Sequence, residues 1–177
     1  MRRTPLSLFF LLCLALLVAG CGFQLRGNLR GGGALPYQTM HIALPDNSDI
    51  GIMLKRFVES TGKTTLVNKP EDAEAIFQQL YDNREKSILS VNAQGLVREY
   101  QLRQRYGFRV VDSKGKVLVP PQEISLQRDI SYDDSAVLAK GAEEALLWRD
   151  TQMDLVMQIL RRIGTIKPKA PQADEEQ

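Results

Sequence analysis

VREYQLRQRYGFRV, residues 97–110, is the stretch on which the fold turns. Tyr100, Leu102, Tyr106, Phe108 and Val110 share one parity along it, and Glu99, Gln101, Arg103, Arg105 and Arg109 share the other. Side chains alternate across a strand, so this pattern predicts a strand with one packed face and one wet face. The same logic extends in both directions. Upstream, Asn92-Ala93-Gln94-Gly95 reads as a turn, and residues 75–81 and 88–91 have strand character, with a polar break at Asp82-Asn83-Arg84 that one bent strand would accommodate. Downstream, Asp112-Ser113-Lys114-Gly115 closes a hairpin. After Pro120-Pro121 the alternation resumes, with Ile124, Leu126, Ile130 and Tyr132 on one side and Ser125, Gln127, Asp129 and Ser131 on the other. Arg128 falls on the apolar parity, where a bulge or a snorkelling stem would account for it.

Around this meander lie elements of a different period. Residues 39–44 read as a short strand closed by Pro45, and residues 64–67 as another that runs toward Pro70. Between them Asp46-Asn47-Ser48-Asp49 offers several N-cap oxygens, and Ile50, Met53, Leu54, Phe57 and Val58 follow at helical spacing before Gly62. A second, longer helix is capped by Asp133-Asp134-Ser135 and carries Ala142, Leu146, Met153, Val156, Leu160 and Ile163 as its expected apolar stripe, interrupted by Arg149. Gly164 stops it, and Arg161 and Arg162 complement the negative end of its dipole. One-sided helices need a surface and one-sided strands need a cover. The expected fold is therefore α+β: a two-layer sandwich, with two helices packed on one face of a mixed, mostly antiparallel sheet of about four strands, over residues 38–166.

The ends of the chain have their own logic. Arg2 and Arg3 precede an almost unbroken apolar run over residues 6–18, and small Ala19 and Gly20 follow, which is the three-part plan of a signal peptide over residues 1–20. The run is short for a bilayer span, which takes roughly 20 residues. Of 23 Lys+Arg and 21 Asp+Glu, only Arg2 and Arg3 leave with such a leader, so the mature part carries 21 of each and no formal charge. The slightly basic balance of the whole is thus a targeting feature and gives no argument for nucleic acid. Cys13 leaves as well, and Cys21 stands alone without an internal disulfide partner. Residues 21–37, with Gly27, Asn28, Gly31, Gly32 and Gly33, read as a tether, and residues 167–177 as a disordered, solvated tail.

Chemistry is sparse. A single His41 sits in the first expected strand without a Cys or second His near it in sequence, so it predicts neither a metal centre nor a catalytic pair. No G-x-S-x-G, Walker loop or H-E-x-x-H is present. Asp133-Asp134 and Glu143-Glu144 are adjacent pairs whose side chains do not converge. The sequence thus predicts no catalytic residue, metal or cofactor. The surface that invites a partner is the wet face of residues 97–110. Same-face neighbours on a strand lie about 6.5–7 Å apart. Arg103 and Arg105 could therefore grip one phosphate or two near ones, with Arg109 further along and Lys140 as a second candidate cation. A solubilising face balanced by Glu99 and Asp129, and an ordinary helix-surface lysine, are the alternative readings.

Two resemblances give these residues a setting. Val18-Ala19-Gly20-Cys21 resembles the bacterial lipobox, which implies an S-diacylglycerol and an N-acyl chain on Cys21 after cleavage. Each buried methylene adds about 0.8 kcal/mol, and several chains anchor firmly where one does not. Gly22 stands where an inner-membrane retention signal would have Asp, which points to the outer membrane. CGFQLRG, residues 21–27, is similar to the mature start of the LptE family of lipopolysaccharide (LPS) assembly lipoproteins, and REYQL (residues 98–102) and VLAK (residues 137–140) recur in that family's order. The resemblance implies a lipoprotein on the periplasmic side of the outer membrane, a β-barrel partner, LptD, that the body plugs and helps to assemble, and binding of LPS. Arg103, Arg105, Arg109 and Lys140 are then the candidate LPS contacts. An auxiliary lipoprotein of another envelope lipid transporter and an anchored periplasmic hydrolase are the other functions compatible with the chain.

Overall fold

A computed structural model describes residues 35–165, so the leader, Cys21, most of the expected tether and the C-terminal tail lie outside the described residues. The elements run β1 (Thr39–Ala43), α1 (Asp49–Thr61), β2 (Thr65–Leu66), β3 (Ala75–Val91), β4 (Val97–Val111), β5 (Val117–Ser131) and α2 (Val137–Thr165). They form one five-stranded sheet in the order β2-β1-β3-β4-β5. β1 pairs in parallel with β2 and β3, whereas β3, β4 and β5 form an antiparallel meander. The fold is thus the expected α+β arrangement, with two helices against a mixed sheet. The brief β2 makes the fifth strand.

The local signals act as their chemistry requires. Ser48 caps α1, its Oγ accepting from Gly51 N at 3.2 Å, and the helix ends at Gly62. Both hairpin turns use the same device: Asn92 Oδ1 accepts from the backbone N–H of Gln94 and Leu96, and Asp112 Oδ1 from Lys114 and Lys116. Each turn is completed by a glycine at positive φ, Gly95 at 79° and Gly115 at 83°, a conformation costly for a residue with a Cβ. The polar break at Asp82 does not divide β3. The strand passes through it as one 17-residue element with a register shift between Gln79 and Tyr81.

The apolar parity of β4 faces the helices. Phe77, Tyr106, Phe108 and Val110 of the sheet meet Ile50, Leu54 and Val58 of α1 and Leu155, Ile159 and Ile163 of α2 in one core, where the Phe77 and Phe108 rings stack at 5.5 Å. A small second cluster, Ala73, Ile76 and Val111, lies apart from it. Leu35 and Tyr37, which the sequence assigns to the tether, are buried in the main core.

The long helix departs from expectation. Val156, Leu160 and Ile163 are buried, but Ala142, Leu146 and Met153 are exposed. The buried stripe is instead Thr151, Gln152, Leu155, Val156, Ile159, Leu160 and Ile163, all in the second half. The reason is the surface under the first half, which is polar. Glu144 pairs with Lys86 at 2.6 Å and Trp148 lies under the Arg84 guanidinium at 5.9 Å; just past the start of the buried half, Arg128 pairs with Asp154. This last pair explains the charge on the apolar parity of β5: Arg128 faces the helix layer because a carboxylate waits there.

Candidate functional site

β4 holds Arg103, Arg105 and Arg109 on the sheet face opposite the helices, where its alternation predicts them. Arg103 and Arg105 are exposed and Arg109 is half-buried. Between Arg105 and Arg109 the strand has Gly107, and the Tyr81 ring of β3 lies across it: a Cβ at position 107 would come within 2.4 Å of that ring. A glycine in a strand interior marks such a close approach. The Tyr81 hydroxyl reaches over β4 to donate to Glu123 on β5. That bond is the main cause that raises the tyrosine's pKa, while the nearby positive charge of Arg105 pulls it down. An aromatic ring thereby covers the strand at Gly107, between the positions of Arg105 and Arg109.

Acidic residues share this face: Glu85 of β3 stands directly opposite Arg103 in the ladder, and neutral groups hold the other three. Glu99 accepts from Ser90 Oγ at 2.7 Å, Asp129 from Gln101 Nε2 at 3.2 Å, and Glu123 from Tyr81. The arginines, in turn, donate to neutral acceptors, Arg103 to Gln101 Oε1 at 2.7 Å and Arg109 to Gln78 Oε1 at 2.8 Å. Among the described residues none of the three forms an ion pair within 4.0 Å. Their forks therefore retain donors for an anion, and planar forks suit phosphate oxygens.

Lys140 is not part of this cluster. It lies in the first turn of α2, in the other layer, where its ammonium donates to Ser131 Oγ at 2.9 Å and pairs with Glu143 at 2.8 Å. There it lines a cleft of about 180 Å³ with Lys86, Tyr100, Ile130, Tyr132 and Glu144. The Lys86 ammonium sits 4.2 Å from the Tyr100 ring centre, and Tyr100 meets Tyr132 edge-on at 5.3 Å. Sequence reasoning did not single out Lys86, Tyr81 or the Asp82–Gln104 hydrogen bond (2.8 Å) beneath α2. The signals for two of them are present: Gly107 inside a strand, and Gln104 on the otherwise apolar parity of β4. His41 holds the short β2 end in place, its Nδ1 3.1 Å from the Val67 carbonyl oxygen. Cys21, the expected lipidation site, lies outside the described residues.

Comparison with known proteins places this geometry. The family model LptE, lipopolysaccharide-assembly, matches residues 37–163. The LPS-assembly lipoprotein LptE of Pectobacterium atrosepticum is 28% identical over 160 residues, covering 85% of this chain and 80% of that protein. The protein of the same name from Yersinia enterocolitica is 26% identical over 166 residues, covering 88% and 74%. Among solved structures, the uncharacterized lipoprotein B of Nitrosomonas europaea matches with a TM-score of 0.68 and 40% identity, over 81% of this chain and 90% of that one. A minor lipoprotein of Acinetobacter baumannii matches with a TM-score of 0.60 and 27% identity, over 73% and 92%. The family match spans the sheet, both helices and the arginine strand, and the chain belongs to the LptE family of lipopolysaccharide-assembly proteins.

Proposed function

We propose that this protein is an outer-membrane lipoprotein, anchored through acyl chains on Cys21. In this reading it occupies the lumen of the β-barrel LptD, helps that barrel to assemble, and receives LPS there for delivery to the cell surface. It acts by contact and catalyses no covalent step. The observation that carries the reading is the arginine face of β4: three guanidinium groups share one sheet face, Arg103 and Arg109 donate to neutral side chains, and among the described residues none of the three forms an ion pair within 4.0 Å, even with Glu85 opposite Arg103. Lipid A phosphates are dianionic groups of the kind such forks bind bidentately. Lys140 and Lys86, at the aromatic cleft, are a second contact for the same ligand. A barrel lumen is polar and wet, and a body with interspersed charges of both signs suits it.

Two measurements test this. Depletion of the protein should leave newly made LPS on the periplasmic side, and tagged protein extracted from membranes should bring down a large β-barrel. Normal surface LPS on depletion, or extraction without a barrel, would refute the proposal.

A further inference from the structure

The β5 edge carries a pattern that the LPS reading does not use. β5 ends the sheet, so one row of its backbone groups has no strand to meet. Which row follows from one bond: Tyr132 N donates to Arg98 O at 2.7 Å, and residues 98 and 132 are opposite one another in the ladder. Opposed antiparallel residues alternate between bonded and unbonded pairs. The even-numbered residues of β5 up to Gln122 therefore bond to β4, and the N–H and C=O groups of Glu123, Ser125, Gln127, Asp129 and Ser131 point outward.

Side chains occupy part of that row. Arg162, from the last turn of α2, donates to the Glu123 carbonyl at 2.7 Å. Arg128 donates to the Gln127 carbonyl at 3.1 Å while its other nitrogen is held by Asp154. Pro120 and Pro121 sit where the register shifts at the start of the strand, and proline gives no N–H to a ladder. The open run is thus residues 123–131, with Gln127 at its middle and a guanidinium on the central carbonyl.

That run is self-complementary. An antiparallel pairing of two copies about Gln127 sets Glu123 opposite Ser131, Ile124 opposite Ile130, Ser125 opposite Asp129 and Leu126 opposite Arg128. No like charges face each other, and the side chains that flank the axis on the helix side, Ile124 and Ile130, are already buried within each copy, so the pairing rests on the backbone and on the absence of charge repulsion. We propose that the β5 edge is a strand-pairing surface for a second copy of this chain, held shut by Arg128 and Arg162. Removing both guanidinium groups frees the two carbonyls and lets the sheets join into one of ten strands.

The test uses the full chain in detergent. Sedimentation equilibrium should find the native chain monomeric, and R128A/R162A should raise its self-association about tenfold or more. Adding Gln127→Pro to that variant should restore the monomer by removing the central N–H. Adding Gln127→Cys to it instead should give a cross-link on oxidation that the double variant alone does not form, because paired residues put Cα atoms about 5.5 Å apart, within disulfide reach. If the double variant loses its circular dichroism signature, Arg128→Lys with Arg162→Ala keeps a cation beside Asp154 and takes its place. A folded variant that stays monomeric, association that survives Gln127→Pro, or Gln127→Cys cross-linking as readily with both arginines present as without them would each overturn the proposal.

Discussion

The two halves of α2 belong to one helix but rest on different materials. Residues 151–165 have seven buried side chains, five of which (Leu155, Val156, Ile159, Leu160 and Ile163) join the apolar core that holds the stacked Phe77 and Phe108 rings. Residues 137–150 contribute none; they lie over Lys86, Arg84 and the tyrosine cleft, joined by an ion pair, a cation–π contact and hydrogen bonds. Exposed polar contacts of that kind contribute about 0–1 kcal/mol each, whereas one buried aliphatic side chain contributes several times as much. The contrast teaches that one helix can carry apolar packing in one half and polar contacts in the other. β3 and β4 also run past the core, and there Ile88 and Val91 of β3 and Leu96 of the turn that follows are exposed.

The contrast can be broken most sharply by paired truncations. Ile159→Ala, at a fully buried position, should lower unfolding stability by about 2–5 kcal/mol in a denaturant titration. Leu146→Ala, on the same helix but 58% exposed, should change it by less than about 0.5 kcal/mol. Similar costs for the two would mean that the first half of α2 is packed like the second. Next in size, Gly107→Val should cost about 1–3 kcal/mol, because the Tyr81 ring occupies the space that the new side chain needs. Tyr81→Ala in the same background should recover part of that loss, and no recovery would place the cost elsewhere.

A smaller effect is expected at the polar seam. Lys86→Met removes the pair with Glu144 and should cost no more than about 1 kcal/mol, with the difference from the native chain shrinking as salt is raised. A salt-independent loss would mean that packing, not charge, holds this half of the helix. The smallest expected effect is at Asp133. Hydrogen bonds from the Ser135 side chain and backbone hold its pKa below the ordinary 3.8. A lowered folded-state pKa stabilises above the ordinary value, and the contribution is lost as pH falls below it through the folded one. Asp133→Asn should therefore slightly narrow the stability difference between pH 6 and pH 3; an unchanged difference would remove Asp133 from the account.

Much of this was legible in the chain. The parity of residues 97–110 gives the sheet and both of its faces, and Asn92, Gly95, Asp112 and Gly115 give the hairpins, because turn chemistry is local. The arginine face was legible for the same reason: strand alternation decides which side a residue takes. The stripe of α2 was not. Ala142, Leu146 and Met153 keep helical spacing, but they lie on the outward side of the helix; the residues of its first half that meet the sheet are Lys140, Glu144 and Trp148, and spacing alone carries no information about a polar surface such as Arg84 and Lys86. Arg128 was opaque for the converse reason, since its partner Asp154 is distant in sequence. Lys140 was legible as a separate cation, since it falls on the expected long helix and not on the strand; its neighbours Ser131 and Lys86 were not, because they come to it from other elements.

The central claim is that the β4 arginine face binds the phosphates of LPS. LPS titrated into the native chain and into Arg103→Ala/Arg105→Ala/Arg109→Ala tests it most directly, with denaturant stability measured alongside. The account predicts at least about a tenfold loss of affinity in the triple variant at unchanged stability, since each charge-assisted bond contributes roughly 1.5–3 kcal/mol. Undiminished LPS binding by a stably folded triple variant would contradict it.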